Sequence, residues 1–420
     1  MLTIGLTLLV TLIVVVLALN LHTPEKEIKH QVEHCHAIRD PQFRREMGAL
    51  LGPAIIPGNT VQALHNGAEI FPAMLAAIAA ARHTITFETY IYWSGHVGEQ
   101  FAAALIERAR NGVRVHLMLD WLGSEKIAHD LLRRMKQASV EIVRYHALHW
   151  YSIGRINNRT HRKVLIIDGQ LGFTGGVGIA DQWSGHAQDP DHWRDIHFRV
   201  TGPVIGQMQA AFLDNWIKTT GNVLHGDAYF PDLEETGSLV MQFFMSSPAG
   251  GSSSMRLMYL TAITAAEHSI DIAAAYFIPD PLMAAELVKA RKRGVRIRVL
   301  VPDKYIDSQV VRTMARREWG PLLESGVQIH QYESTMLHTK MLIFDGFMVS
   351  VGSTNFDTRS FELNDEASLN VYDADFAQQM TQVFESDLKM ARPYDLEQWR
   401  SRPLVQKAAE VILLPIRGQL

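Results

Sequence analysis

Two hydrophobic periods alternate along this chain, and the order in which they alternate occurs twice. Residues 1–21 show neither period: the run is uncharged and dominated by apolar side chains, about the length needed to cross a bilayer core as a helix. No Lys or Arg precedes it, and its end reads Ala18, Leu19, Asn20, Leu21, without the small-x-small pattern of a cleavage site. It therefore reads as an uncleaved anchor rather than a signal peptide. A polar linker follows to about residue 60, with breakers at Gly52, Pro53, Pro57 and Gly58. Pro72 marks the start of an alanine-rich helix ending near Arg82, and the β-branched and aromatic run 84–92 reads as a strand. A second helix continues to Asn111, Gly112 caps it, and 113–119 is the next buried strand.

The same grammar returns after the flexible stretch 250–254. Helix 255–267, strand 268–277, helix 281–293, Gly294 and strand 295–301 follow in order. Ala81, His83 and Ile85 are echoed by Ala266, His268 and Ile270, and Gly112-Val113-Arg114 by Gly294-Val295-Arg296. The expected organisation is an anchor at 1–21, a linker at 22–60 and two similar α/β domains at 61–235 and 236–420. Two ambiguous segments remain. The basic run from Lys289 to Arg298 suits a solvated helix end better than a lipid-docking patch, and the periodic tail from Leu404 onward fits either an interfacial helix or packing on the second domain.

Composition narrows the field. A chain of 420 residues has room for two domains and an anchor, and 47% apolar with 20% charged residues is globular. The formal net charge of -4 argues against a dedicated nucleic-acid binder. Cys35 is the one cysteine, so no intramolecular disulfide is available. A metal site can be drawn from Cys35 with His30, His34 and His36, but a solvated histidine-rich linker is the preferred reading.

The chemistry is carried by a repeated motif. His161, Lys163, Asp168 and Gly169 recur as His338, Lys340, Asp345 and Gly346, at equivalent points of the two halves. Residues i and i+2 of a strand share a face, so each half offers an imidazole beside an ammonium. The four apolar residues that follow suit a strand buried on both faces, and Asp-Gly then turns the chain back. Asp168 and Asp345 complete the expected catalytic motifs, although a place at a turn suits a structural role. Two His-Lys pairs supply positive charge, a nucleophile and a proton donor.

With these motifs the sequence resembles the phospholipase D superfamily and, within it, the bacterial cardiolipin synthase branch. The resemblance covers residues 67–388 and extends to Trp193-Arg194-Asp195, Tyr276-Phe277-Ile278-Pro279-Asp280 and Asn355-Phe356-Asp357-Thr358-Arg359-Ser360. It implies two α/β/α-sandwich domains related by a pseudo-twofold axis, and transfer of a phosphatidyl group between two phosphatidylglycerols through a phosphohistidine. His161 would be the nucleophile and His338 the acid and then base. Asp195 and Glu366 would orient the imidazoles, Ser353 and Asn355 would bind phosphate with the lysines, and Glu88 and Tyr90 are candidates to line the substrate. Gly178 departs from the family pattern, which has asparagine where the second half keeps Asn355. No metal or cofactor, no nucleic acid and no obligate protein partner is implied. The expected location is the bacterial inner membrane, and the mixed charges after the anchor lean towards a cytoplasmic body. The competing readings are a nuclease or phosphodiesterase of the same superfamily and a non-catalytic membrane scaffold.

Overall fold

The computed structural model describes residues 2–20, 28, 32–145, 158–247 and 253–419. One continuous sheet supplies strand partners to both halves. From the outer edge of the first half inward its strands are Glu141–Tyr145, Arg114–Asp120, Thr84–Thr89, Val164–Ile167, Leu171–Gly175, Ile196–Thr201 and Ile56–His65. Leu239–Ser246 lies antiparallel to Ile56–His65, and there the halves meet. The series then runs outward in the corresponding order through Asn364–Tyr372, Met348–Gly352, Met341–Phe344, Ser269–Ala273, Arg296–Pro302 and Gln328–Tyr332, with Ala391–Tyr394 added at the edge.

The strand that follows each His-x-Lys is buried on both faces, as its uninterrupted apolar run requires. Leu165 and Ile167 pack with the first half's own helices, while Val164 and Ile166 face the opposite side. On that side they share one core with Met341 and Ile343 of the second half. Helices Ile205–Thr220 and Ala374–Leu388 cover this common core with Phe212, Trp216, Phe376 and Phe384. Helices thus flank a mixed sheet on both sides.

Asp168 and Asp345 occupy the left-handed region, each with φ of 51°, and Gly169 and Gly346 follow at 65° and 55°. This is the conformation a tight reversal between antiparallel strands demands. The Asp168 carboxylate accepts from the backbone N–H groups of Arg82, His83 and Thr84 at 2.7–2.8 Å. Asp345 does the same for Glu267, His268 and Ser269 at 2.8–2.9 Å. Each aspartate pins the helix-to-strand junction that precedes its own half's first inner strand.

Three expectations need revision. The helix expected to open at Pro72 opens at Asn66 and carries Pro72 inside it, because Glu69 accepts from the His65 N–H (2.8 Å) and closes an earlier first turn. The expected linker is partly built in: Pro41–Leu51 is a helix capped by Asp40, and Ile38, Phe43, Met47 and Leu51 are buried in the core of the second half. At the start of the chain Leu2–Asn20 is a helix of 19 residues, with side chains described over 3–15. Among the described residues no helix is long and apolar enough to cross a membrane, so the expected transmembrane anchor is not shown by the structure.

Replacing Asp345 by alanine leaves three N–H groups without their charged acceptor at a left-handed position. Asp345→Ala is expected to lower unfolding free energy by about 3 kcal/mol, read as a lower denaturant midpoint of the detergent-solubilised chain.

Candidate active site

Each half extends a short segment to the other, and this exchange places the site. Arg159–Thr160 pairs in parallel with the start of Asn364–Tyr372, and the His161 N–H donates to the carbonyl of Asp365 (2.9 Å). In the reciprocal direction the Arg194 N–H donates to Met336 (2.9 Å) and the His338 N–H to Arg194 (2.7 Å). His161 of the first half therefore lies against Glu366 of the second, and His338 of the second against Asp195 of the first.

The resulting contacts are short and enclosed. His161 Nδ1 is 3.0 and 3.1 Å from the two Glu366 oxygens, and His338 Nδ1 is 2.8 Å from Asp195 Oδ2. Both carboxylates are fully buried and further supported. Ser353 Oγ and Asn364 Nδ2 donate to Glu366, while the Trp183 indole (3.0 Å) and the Ile196 N–H (2.8 Å) donate to Asp195. The i, i+2 alternation brings each lysine to its histidine: Lys163 Nζ donates to the His161 carbonyl at 2.8 Å. Lys340 Nζ donates to the His338 carbonyl at 2.6 Å and lies 2.9 Å from both ring nitrogens.

Electrostatics follow from that crowding. Burial, opposed by Glu366 and reinforced by the Lys163 charge, brings the His161 imidazole down to about 4. Burial, with the charges of Lys340 and Lys163, holds His338 well below its ordinary value. Burial and the Lys340 charge bring Lys163 to about 7, and burial, resisted by Asp195, brings Lys340 to about 8. Burial alone would push Glu366 up, but His161 and Lys163 carry it below its usual range. At neutral pH the imidazoles are thus neutral, with Nδ1–H held by the carboxylates and Nε2 the remaining ring nitrogen.

His161, Lys163, His338, Asn355, Tyr90 and Trp193 line one cavity of about 680 Å³. The Tyr90 ring meets His161 edge-on at 5.1 Å; Trp183 and Trp193 flank His338 at 5.2 and 5.5 Å. Asn355 presents a buried side-chain oxygen with no hydrogen-bond partner among the described residues. Among the described residues no group of His, Cys, Asp and Glu is arranged to hold a metal. The proposed cluster around Cys35 includes His30, which lies outside the described residues.

Other candidate residues fall elsewhere. Asp168 and Asp345, grouped with the catalytic motifs, brace backbone turns away from the cavity. Glu88, expected to line substrate, faces helix Ile205–Thr220 by strand alternation, and is bonded to Thr160 and Asn215 behind the His161 segment. Ser353, expected on phosphate, is turned onto Glu366. Sequence reasoning passed over Arg162, whose alternation sends it to the opposite face. There it reaches Ala211 (2.7 Å), Asp214 (3.0 Å) and the Glu366 carbonyl (3.3 Å), tying the halves together. Trp183 was also missed. Its signal lay in Gly178: a Cβ there would come within 2.8 Å of Ile91 and 3.2 Å of the Trp183 ring. The bulk of Trp183 fills the space that an asparagine at 178 would need.

Comparison with known proteins agrees with this geometry. The family described as cardiolipin synthase, PLD-like domain, matches residues 74–190 and 259–388. Cardiolipin synthase of Geobacillus kaustophilus (strain HTA426) is 34% identical over 352 residues, covering 83% of this chain and 70% of that protein. Cardiolipin synthase 1 of Bacillus anthracis is 33% identical over 369 residues, covering 86% and 72%. Among solved structures, phosphatidylserine synthase of Haemophilus influenzae Rd KW20 shares the fold with a TM-score of 0.68 at 12% identity, covering 90% of this chain and all of that one.

Two outcomes test the site. Gly178→Asn is expected to lower unfolding free energy by about 1–3 kcal/mol through overpacking, measured by denaturant titration. Bound phosphate places negative charge beside Lys163, whose ammonium form burial and the Lys340 charge have weakened, and so raises its proton affinity. Titration calorimetry with inorganic phosphate in buffers of different ionisation enthalpy should therefore show net proton uptake, reduced in Lys163→Met. Proton release would contradict the arrangement.

Proposed function

The chain belongs to the cardiolipin synthase family of PLD-like proteins, and from that premise we propose that it is a phosphatidyltransferase converting two phosphatidylglycerols into cardiolipin and glycerol. The observation that carries the proposal is the pair of imidazoles, each held through Nδ1 by a carboxylate of the opposite half, lining one cavity.

In the first step the Nε2 lone pair of His161 attacks the donor's phosphorus. A P–N bond forms, the P–O bond to the glycerol headgroup breaks, and His338 gives that oxygen its proton. The entering phosphodiester offsets the two ammonium charges that keep His338 unprotonated, and Asp195 stabilises the imidazolium. In the second step His338 takes the proton from a hydroxyl of the second phosphatidylglycerol, whose oxygen attacks phosphorus and releases His161. Atoms and protons balance over the cycle. Lys163, Lys340 and Asn355 bear on the non-bridging oxygens. The assignment of His161 as nucleophile is supported by the lysines, since Lys340 crowds the ring nitrogens of His338 whereas Lys163 bonds the backbone of His161.

Helix Leu2–Asn20 serves in this reading as a membrane anchor. Anchoring in the bacterial inner membrane, with the catalytic halves on the cytoplasmic side, keeps the cavity beside its lipid substrates.

Expressed in cells that lack cardiolipin, the chain should restore it, and His161→Ala or His338→Ala should each reduce synthesis at least about 1,000-fold in extracted lipids. Cardiolipin formed equally by the variants would contradict the mechanism.

A further inference from the structure

Helix Leu404–Ile412 is turned inside out. Its only buried residue is a charged one, Glu410, at 2% exposure, held by Arg402 at 2.9 and 3.1 Å and by Gln406 at 3.3 Å. Its aliphatic side chains point to solvent: Leu404 and Val405 at 82%, Ile412 at 75% and Val411 at 58%. Positions 404, 405, 408, 411 and 412 fall on one helical face, so with the exposed Ala408 they form a continuous apolar stripe. The buried ion pair fixes this orientation, because turning the stripe inward would drag Glu410 away from Arg402.

The helix is one element removed from the active-site cavity. The helix packs on Gln309–Glu318, which directly follows the cavity residue Asp307. The turn that continues it, Leu414–Gln419, packs on Thr358–Glu362, which carries the cavity residues Arg359 and Ser360. Two contacts secure it: the Gln419 carbonyl accepts from Arg359 Nε (3.0 Å), and Arg417 pairs with Glu318 (3.0 Å). Residues 400–417 hold four basic side chains, Arg400, Arg402, Lys407 and Arg417, against the single acid Glu410, in a chain whose net charge is -4.

We propose that this helix is a second membrane contact, lying in the interface of an anionic phospholipid bilayer and seating the cavity mouth on the lipid surface. The inference rests on the lipid-transfer reading, since only a lipid substrate requires the cavity mouth to meet a bilayer. Arg402 and Arg417 are paired with Glu410 and Glu318, while Lys407 on the Arg400 carbonyl and Arg400, 63% exposed beside Glu324, remain at the surface to meet anionic headgroups, and the stripe supplies the apolar insertion that a soluble partner would not need. The basic run after Lys289 is also engaged within the fold, with Arg293 on the carbonyls of Ile263, Thr264 and Ala266 and Arg298 on Asp271 and Glu385, and it carries no apolar stripe of this kind.

The test uses the full chain with Cys35→Ser and Val405→Cys, labelled with an environment-sensitive fluorophore and reconstituted into phosphatidylglycerol–phosphatidylcholine vesicles. The expected result is a blue-shifted emission quenched by spin-labelled lipid. An unquenched probe, or a shift that follows protein rather than lipid concentration and so reports a second copy, would overturn the proposal. Neither readout needs turnover, so failure of the lipid-transfer reading is seen separately as absence of cardiolipin. As a second variant, Leu404→Gln, Val405→Gln, Val411→Gln and Ile412→Gln combined should reduce activity on vesicle lipid about tenfold while sparing dispersed short-chain phosphatidylglycerol. Equal loss on both substrates would also overturn it.

Discussion

Two carboxylates buried at the seam govern this molecule: Glu366 of the second half against His161 of the first, and Asp195 of the first against His338 of the second. A buried carboxylate is costly unless its partners are in place, and here the partner ring comes from the other half. Neither imidazole can be oriented by its own half alone. Lys163 and Lys340 balance the two carboxylates, which leaves the rings neutral until an anion arrives. The charge state that chemistry needs is thereby coupled to the presence of a phosphodiester.

The halves are alike in strand order and unlike in the lining of the cavity. Around His161 the second half supplies Glu366, with Ser353 and Asn364 bonded to it, and Asn355 stands open to the cavity. Around His338 the first half has Gly178 at the position of Asn355, and the space is taken by Trp183, whose indole holds Asp195. The duplicated scaffold thus makes one side polar and the other aromatic. That asymmetry suits two imidazoles with different tasks.

Much of this was legible in the sequence where the controlling interactions are local. The i, i+2 spacing of His161 with Lys163 and the apolar run closed by Asp-Gly translate directly into a doubly buried strand and a reversal, and the repeat translates into a continuous sheet. What sequence reading missed depends on residues far apart in the chain. Nothing near Glu88 announces that Asn215 and Thr160 will enclose it, and nothing near Ser353 marks Glu366 as its acceptor. The helix Pro41–Leu51 looked like a polar linker because its few apolar residues matter only when the second half's core receives them. The periodic tail was ambiguous until Glu410, not leucine, proved to be the buried residue.

The central claim is that one histidine, oriented across the seam, carries the phosphatidyl group. It is tested most directly by trapping: His338→Ala is given a phosphatidyl donor with a p-nitrophenyl leaving group, which needs no acid, and the peptides, denatured and kept at mildly alkaline pH where a P–N bond survives, are read by mass spectrometry. The account predicts a phosphatidyl adduct on the peptide containing His161, strongly reduced when Glu366 is also replaced by alanine. Nitrophenol release with no adduct on His161, or an adduct indifferent to Glu366, would contradict it.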